Sequence, residues 1–205
     1  MIPFASRSAI ILAGPSKSGK TEFTLRLLKH VNKMFEDKFE RIIWCYSELQ
    51  TLDLPPGTEM VKGLPDMDEL RQQASVPKLL ILDDLMCDIG NVLTELFTKG
   101  CHHLNMTVVY LMQNVFYVKQ RMAHLSASYI VLFKSPGNEL PIATLARQMY
   151  PRNGSKYFIE AYRDATKKPH TYLLVDLTQT IDENLRLRAT IFPDETCTVY
   201  VIKRV

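Results

Sequence analysis

A chain of 205 residues, 46% hydrophobic and 23% charged, has the composition of a folded soluble domain, which excludes a disordered protein or one that depends on staples for its core. Its formal charge of +3 permits nucleic-acid contact without arguing for it, because the basic pairs Lys167-Lys168 and Lys203-Arg204 are isolated rather than gathered into a patch. Cys45, Cys87, Cys101 and Cys197 show no CxxC spacing and read as free, mostly buried thiols of a reducing compartment, and no run approaches the ~18 apolar residues of a membrane span.

In chain order, Ala9 to Ala13 is an apolar run too short for a helix and ended by Gly14, and it predicts a buried strand rather than a signal peptide. From Thr21 the period changes: Phe23, Leu27, Val31 and Met34 recur at three- and four-residue steps, as on an amphipathic helix. A strand is predicted from Arg41 to Tyr46, a loop at Pro55-Pro56-Gly57 and a short helix from Asp66 to Ala74. Lys78 to Asp83 reads as a buried strand ending in two carboxylates. Asn91 to Lys99 reads as a helix with Gly100 as its terminator. Strands follow at Thr107 to Met112 and Tyr129 to Phe133. Asn138 is a candidate cap for a helix reaching Tyr150, with Pro141 tolerable in its first turn, and Ser155 to Ala165 is helical. Tyr172 to Asp176, Leu187 to Phe192 and Thr198 to Lys203 read as strands extending the sheet. The alternation predicts one α/β domain over residues 1–205, with a mostly parallel central sheet flanked by helices and a C-terminal β extension.

The segment Gly14-Pro15-Ser16-Lys17-Ser18-Gly19-Lys20-Thr21 satisfies the phosphate-loop pattern G-x-x-x-x-G-K-[ST]. Glycines allow the backbone to turn its N–H groups onto phosphates, and the helix that follows points its N-terminal dipole at the same anion. Lys20 supplies positive charge to the β- and γ-phosphates and the Thr21 hydroxyl ligates Mg²⁺, so the cofactors implied are ATP and Mg²⁺. By average glycine usage a chance match arises in roughly one chain in a hundred or fewer, and the strand before and helix after reduce that further.

Leu79-Leu80-Ile81-Leu82-Asp83-Asp84 has the form of the second element of such a site, an apolar strand ending in acids at the edge where parallel sheets gather ligands. Beside the phosphate loop, Asp83 is assigned to the Mg²⁺ shell and Asp84 to the attacking water as general base; a loop-capping role is the plainer alternative for both. Gln113 ends the next strand, where it is either a sensor of the γ-phosphate and lytic water or an ordinary polar strand end. His102 and His103 are adjacent and point about 100° apart on a helix, which argues against a shared metal. Trp44 and Tyr46 read as core. Arg121, Arg147 and Arg152 are candidates for the positive charge that hydrolysis needs beside the leaving phosphate.

The ordered set GPSKSGKT, IIWCYSE, LLILDDLM, LFTKGCHHLNMTVVYLMQNVF, SASYIVLFKSPGN, LARQMYP and EAYRDAT–YLLVDL, from about Ala9 to Tyr200, resembles the DNA-packaging ATPases of polinton-type elements and adintovirus-like viruses. These are relatives of the poxvirus packaging ATPase within the FtsK–HerA group. The resemblance implies a P-loop NTPase fold of the additional-strand, RecA/FtsK-like kind, with the Gln113 strand inserted between the phosphate-loop strand and the Asp83 strand. It also implies a homo-oligomeric ring moving double-stranded DNA into a viral capsid through a capsid or portal component, inside an infected host cell and not secreted. Gln113 as sensor and the Asp83-Asp84 pair are expected of that group. Lys17 departs from it, holding a position often given to a small residue. So does Gly137, in a segment where relatives carry arginine, which leaves Arg121 and Arg147 as the arginines to consider. A nucleoside or nucleotide kinase and a nucleotide-gated binding protein share the phosphate loop and remain alternatives.

Overall fold

The computed structural model describes residues 2–49, 51–85, 90–113, 126–137, 139–150 and 154–201. The run Ala9–Ala13 forms β1, buried along its whole length, because β-branched and aliphatic residues covered on both faces suit the interior of a parallel sheet. Around it lie β2 (Arg41–Tyr46), β3 (Thr58–Lys62), β4 (Lys78–Asp83), β5 (Met106–Met112), β6 (Tyr129–Phe133), β7 (Tyr172–Asp176), β8 (Leu187–Ala189) and β9 (Thr198–Tyr200). They make one nine-stranded sheet in the order β3-β2-β4-β5-β1-β6-β7-β8-β9. The strands from β3 to β6 run parallel, and β7, β8 and β9 are added antiparallel. β5 therefore sits between β1 and β4, as the resemblance implies.

Helices cover both faces. α1 (Lys20–Lys29) and α2 (Val31–Met34) pack on one side with Trp44, Ile81 and Leu111 of the sheet. On the other side lie α3 (Met67–Gln72), α4 (Gly90–Glu95), a π turn (Leu96–Gly100) running into α5 (Cys101–His103), α6 (Leu140–Met149) and α7 (Gly154–Ala165). Phe23 of α1 is fixed over the β6–β7 junction by edge-on contacts with Phe133, Tyr172 and Phe192, at centroid distances of 5.9, 4.8 and 5.0 Å. Such pairs contribute about 0.5–1.5 kcal/mol each beyond the area they bury, so the helix that follows the phosphate loop is held firmly against the sheet. Among the described residues no helix is long and apolar enough to cross a membrane.

Several expected boundaries change. β3 lies in a stretch given no strand, because Thr58–Lys62 is an edge strand with no fully buried position and no clean alternation. Gly100 does not end its helix: it keeps right-handed backbone, its carbonyl accepts from Leu104 N at 2.9 Å, and a Cβ there would stand 3.3 Å from Leu96 Cδ2. The glycine thus serves close packing within a turn. The periodic run to Met34 breaks at His30, and α1 and α2 are separate. The strand expected to reach Phe192 stops at Ala189, because Thr190 turns to φ 50° and sends Ile191 and Phe192 under α1. Asn138 lies outside the described residues, and α6 starts after Glu139 with a proline in its first turn.

Candidate functional site

The phosphate loop joins β1 to α1 at the edge formed by the C-terminal ends of the parallel strands. Gly14 N–H donates to the Met112 carbonyl at 3.2 Å, which ties the loop to the end of β5. A Cβ on Gly14 would meet Phe133 Cβ and Ser18 Oγ, both at 2.7 Å, so only glycine fits. Lys17 stands at φ 63° and Gly19 at φ 106°, and the two left-handed residues bend the loop into a cup. Lys17 is therefore a long, exposed side chain on a backbone position that glycine would occupy without strain. Gly19 caps α1 with no side-chain hydrogen bond, which leaves the first-turn N–H groups of a ten-residue helix directed at the loop. Ser18 Oγ is buried there without a hydrogen-bond partner.

Lys20 Nζ donates to the carbonyls of Gly14 at 2.6 Å and Pro15 at 3.0 Å. Burial pushes its pKa below the ordinary lysine value, and the nearby Asp84 and Asp83 carboxylates partly restore the charged form. Asp83 ends β4 and is 6% exposed. Burial raises its pKa and the neighbouring Asp84 adds to the rise, while Lys20 and the Trp44 indole N–H lower it. The Trp44 N–H closes no hydrogen bond of normal geometry, so its influence on Asp83 is that of a nearby dipole. Asp84 takes φ 51°, a left-handed conformation that costs a non-glycine residue on the order of 1 kcal/mol. There its oxygens accept from Gln113 Nε2 at 3.2 and 3.4 Å. The two strand ends predicted to carry the chemistry thus meet through their side chains.

The half-buried Thr21 hydroxyl and the Asp83 carboxylate are hard oxygen donors of the kind Mg²⁺ prefers, and with a cup of N–H donors beside them the residues fit a magnesium-bound nucleotide. Arg121 and Arg152 lie outside the described residues. Arg147 is exposed in the last turn of α6, a helix that leaves the phosphate-loop edge and ends where Tyr150 feels Arg186 and Glu183, so it is apart from Lys20 within the chain. Cys101 is buried while His103 is exposed on the same short helix, so these two do not converge on a metal. Trp44 is fully buried core. His170, not singled out by sequence, stands against the phosphate loop: its Cβ and Nδ1 would each be 3.2 Å from a Cβ on Gly19. That proximity depends on β7 returning antiparallel, which no local pattern announces.

No protein-family model and no curated protein matches the chain. Solved structures similar to it include EssC (ATPases 2 and 3) from Geobacillus thermodenitrificans, at 12% identity and a TM-score of 0.51, covering 95% of this chain and 39% of that one. A KaiC-like protein from Pyrococcus horikoshii OT3 is similar at 12% identity and a TM-score of 0.50, covering 95% of this chain and 90% of that one. The chain thus spans about two fifths of the EssC structure. At such identity the likeness concerns the fold, and the fold is that of the P-loop ATPases: a large, mostly parallel sheet flanked by helices.

Proposed function

We propose that the chain is a Mg²⁺-dependent ATPase that moves double-stranded DNA into a viral capsid as a homo-oligomeric ring, inside an infected cell. The observation that carries the hydrolytic reading is the contact of Gln113 with Asp84 at the mouth of the phosphate loop. A binding site alone has no need of a carboxylate held in strained backbone by a second polar side chain. Lys20 exchanges the Gly14 and Pro15 carbonyls for β- and γ-phosphate oxygens, and the first-turn N–H groups of α1 hold the same anion. Thr21 and Asp83 would hold Mg²⁺, which would supply neutralisation of the charge that develops on the phosphates. Asp84 accepts a proton from the attacking water as its oxygen bonds to the γ-phosphorus. The bond to the β–γ bridging oxygen breaks, giving ADP and phosphate. Gln113 orients that water and Asp84 together. Arg121 is the arginine assigned to the charge on the leaving phosphate, from the same or a neighbouring subunit.

DNA and capsid as partners rest on the resemblance of the ordered segments, above all GCHHLNMTVVYLMQN and LARQMYP. The test is steady-state turnover of purified protein with Mg²⁺ and ATP, with and without duplex DNA, alongside electron microscopy of the protein with an ATP analogue and duplex. DNA-stimulated phosphate release and a ring threaded by duplex are expected, with both lost in Lys20→Ala. Absence of DNA-dependent turnover in assembled rings supplied with capsid removes the motor. Transfer of phosphate to a nucleoside instead of water makes the chain a kinase.

A further inference from the structure

Chemistry fixes which way a triphosphate lies across this sheet. Asp83, Asp84 and Gln113 end β4 and β5, so the γ-phosphate points to that side of β1. Its nucleoside must then leave on the opposite side, over β6 and β7. There the antiparallel return of β7 brings segment 167–171 back to the same edge. Lys134 Nζ donates to the Lys167 carbonyl at 3.5 Å and Thr171 Oγ1 to the Lys168 carbonyl at 2.8 Å, which hold this turn in place. His170, at φ 60°, leans on Gly19 of the phosphate loop.

Beyond His170 opens a cleft of about 340 Å³, within the range of roughly 300–1,000 Å³ typical of small-ligand sites. Its far wall is Thr190, Thr198 and Tyr200, tied by Thr198 N–H to Thr190 Oγ1 at 3.2 Å and by Tyr200 OH to Asp164 at 2.9 Å. Arg26 closes the floor, bonded to Asp194 and Glu195 at 2.6 and 2.8 Å, so one guanidinium is shared by two carboxylates there. The exposed Lys167 and Lys168 flank the mouth.

We propose that this cleft receives the nucleoside of bound ATP, the base lying between the His170 imidazole and the Thr190–Tyr200 wall. The inference rests on the ATP-site reading of the phosphate loop and adds residues that the loop motif does not include. An aromatic face, neutral hydroxyls and a basic rim suit an aromatic base joined to a polyanion, whereas a free phosphate would stop at the loop.

The experiment compares binding of Mg·ATP and Mg·tripolyphosphate, which lacks the nucleoside, by calorimetry on unmodified protein, His170→Ala and the cleft-filling Thr198→Trp. Loss of a stacked base predicts about tenfold weaker ATP binding in each variant, with tripolyphosphate within about twofold of unmodified protein. Equal loss of both ligands in His170→Ala, with ATP retained in Thr198→Trp, overturns the proposal and leaves His170 as a brace for the loop. Full retention of ATP by both variants overturns it as well. If unmodified protein binds neither ligand, the ATP-site reading falls first and the cleft with it.

Discussion

The two edges of the sheet bury charge in opposite ways. At the back edge, where the parallel strands begin, the Lys78 ammonium is fully buried and donates to the carbonyls of Gln73, Val76 and Leu104. Asp176 and Arg188, both almost wholly buried, pair at 2.7 Å, and Thr178 donates twice to the other Asp176 oxygen. At the front edge Lys20 has two loop carbonyls, Asp83 has no hydrogen bond of normal geometry to Trp44, and Asp84 and Gln113 share a long contact. The back edge pairs its charges from within the chain, although among the described residues Arg188 keeps Nε and Nη1, and Ser8 and Thr107 their hydroxyls, buried without a partner. The front edge is built from groups that the chain itself pairs less completely, as the proposed binding of phosphate, metal and water requires. Charges of the first kind are compensated inside the fold; those of the second kind cost stability, as the proposed site requires.

The sharpest way to break this division is to substitute one carboxylate at each edge. Asp84→Asn is expected to lower ATP turnover by about 10²–10⁴-fold, the usual worth of a general base, with ATP affinity and thermal stability unchanged. A loss of affinity as large as the loss of turnover would make Asp84 a binding group. Asp176→Ala does the reverse. It leaves Arg188 buried without its partner, a loss of about 3–5 kcal/mol in urea unfolding, while ATP affinity per folded molecule stays constant. Asp176→Leu combined with Arg188→Met should recover most of that loss, because apolar replacements of a buried pair are often neutral. A smaller effect is expected at Gln113. Gln113→Ala removes one donor aimed at the reacting groups, a loss of about 10² in turnover, again without change in the urea midpoint.

The same division explains how much the sequence disclosed. The front edge was legible because its elements are punctuated: Gly14 and Gly19 bracket the loop, and apolar runs end abruptly in Asp83-Asp84 and Gln113. Each signal there is local, and the strand order only brings it together. β3 was illegible, since an edge strand with half-exposed residues has neither an apolar run nor alternation. Gly100 misled because a glycine that ends a helix and one that permits close packing look alike in sequence. The Asp176–Arg188 pair and the approach of His170 to Gly19 depend on strands pairing antiparallel far along the chain, and no spacing encodes that. The left-handed turn at Asp84, which carries its carboxylate to Gln113, is likewise a product of the assembled edge.

The smallest effect tests the idea that front-edge charge is carried at a cost. Burial and the neighbouring Asp84 raise the Asp83 pKa above its unfolded value, against the pull of Lys20 and Trp44. A carboxyl with a raised folded pKa favours the fold most when protonated. Its contribution is whole below the unfolded pKa of about 4 and is lost as pH rises through the raised value. Asp83→Asn keeps the shape and removes the charge, so the nucleotide-free variant should melt higher than unmodified protein at pH 7, by roughly 2–4 °C for each kcal/mol relieved. The gap should close toward pH 4. Addition of Mg·ATP should reverse the order, because the unmodified carboxylate then gains the partner it lacks. Asp176→Asn must show the opposite sign at pH 7, since Arg188 loses its counter-charge. A nucleotide-free Asp83→Asn protein that melts lower at pH 7, or whose gap ignores pH, means that Asp83 is a structural carboxylate like Asp176, and the contrast between the edges fails.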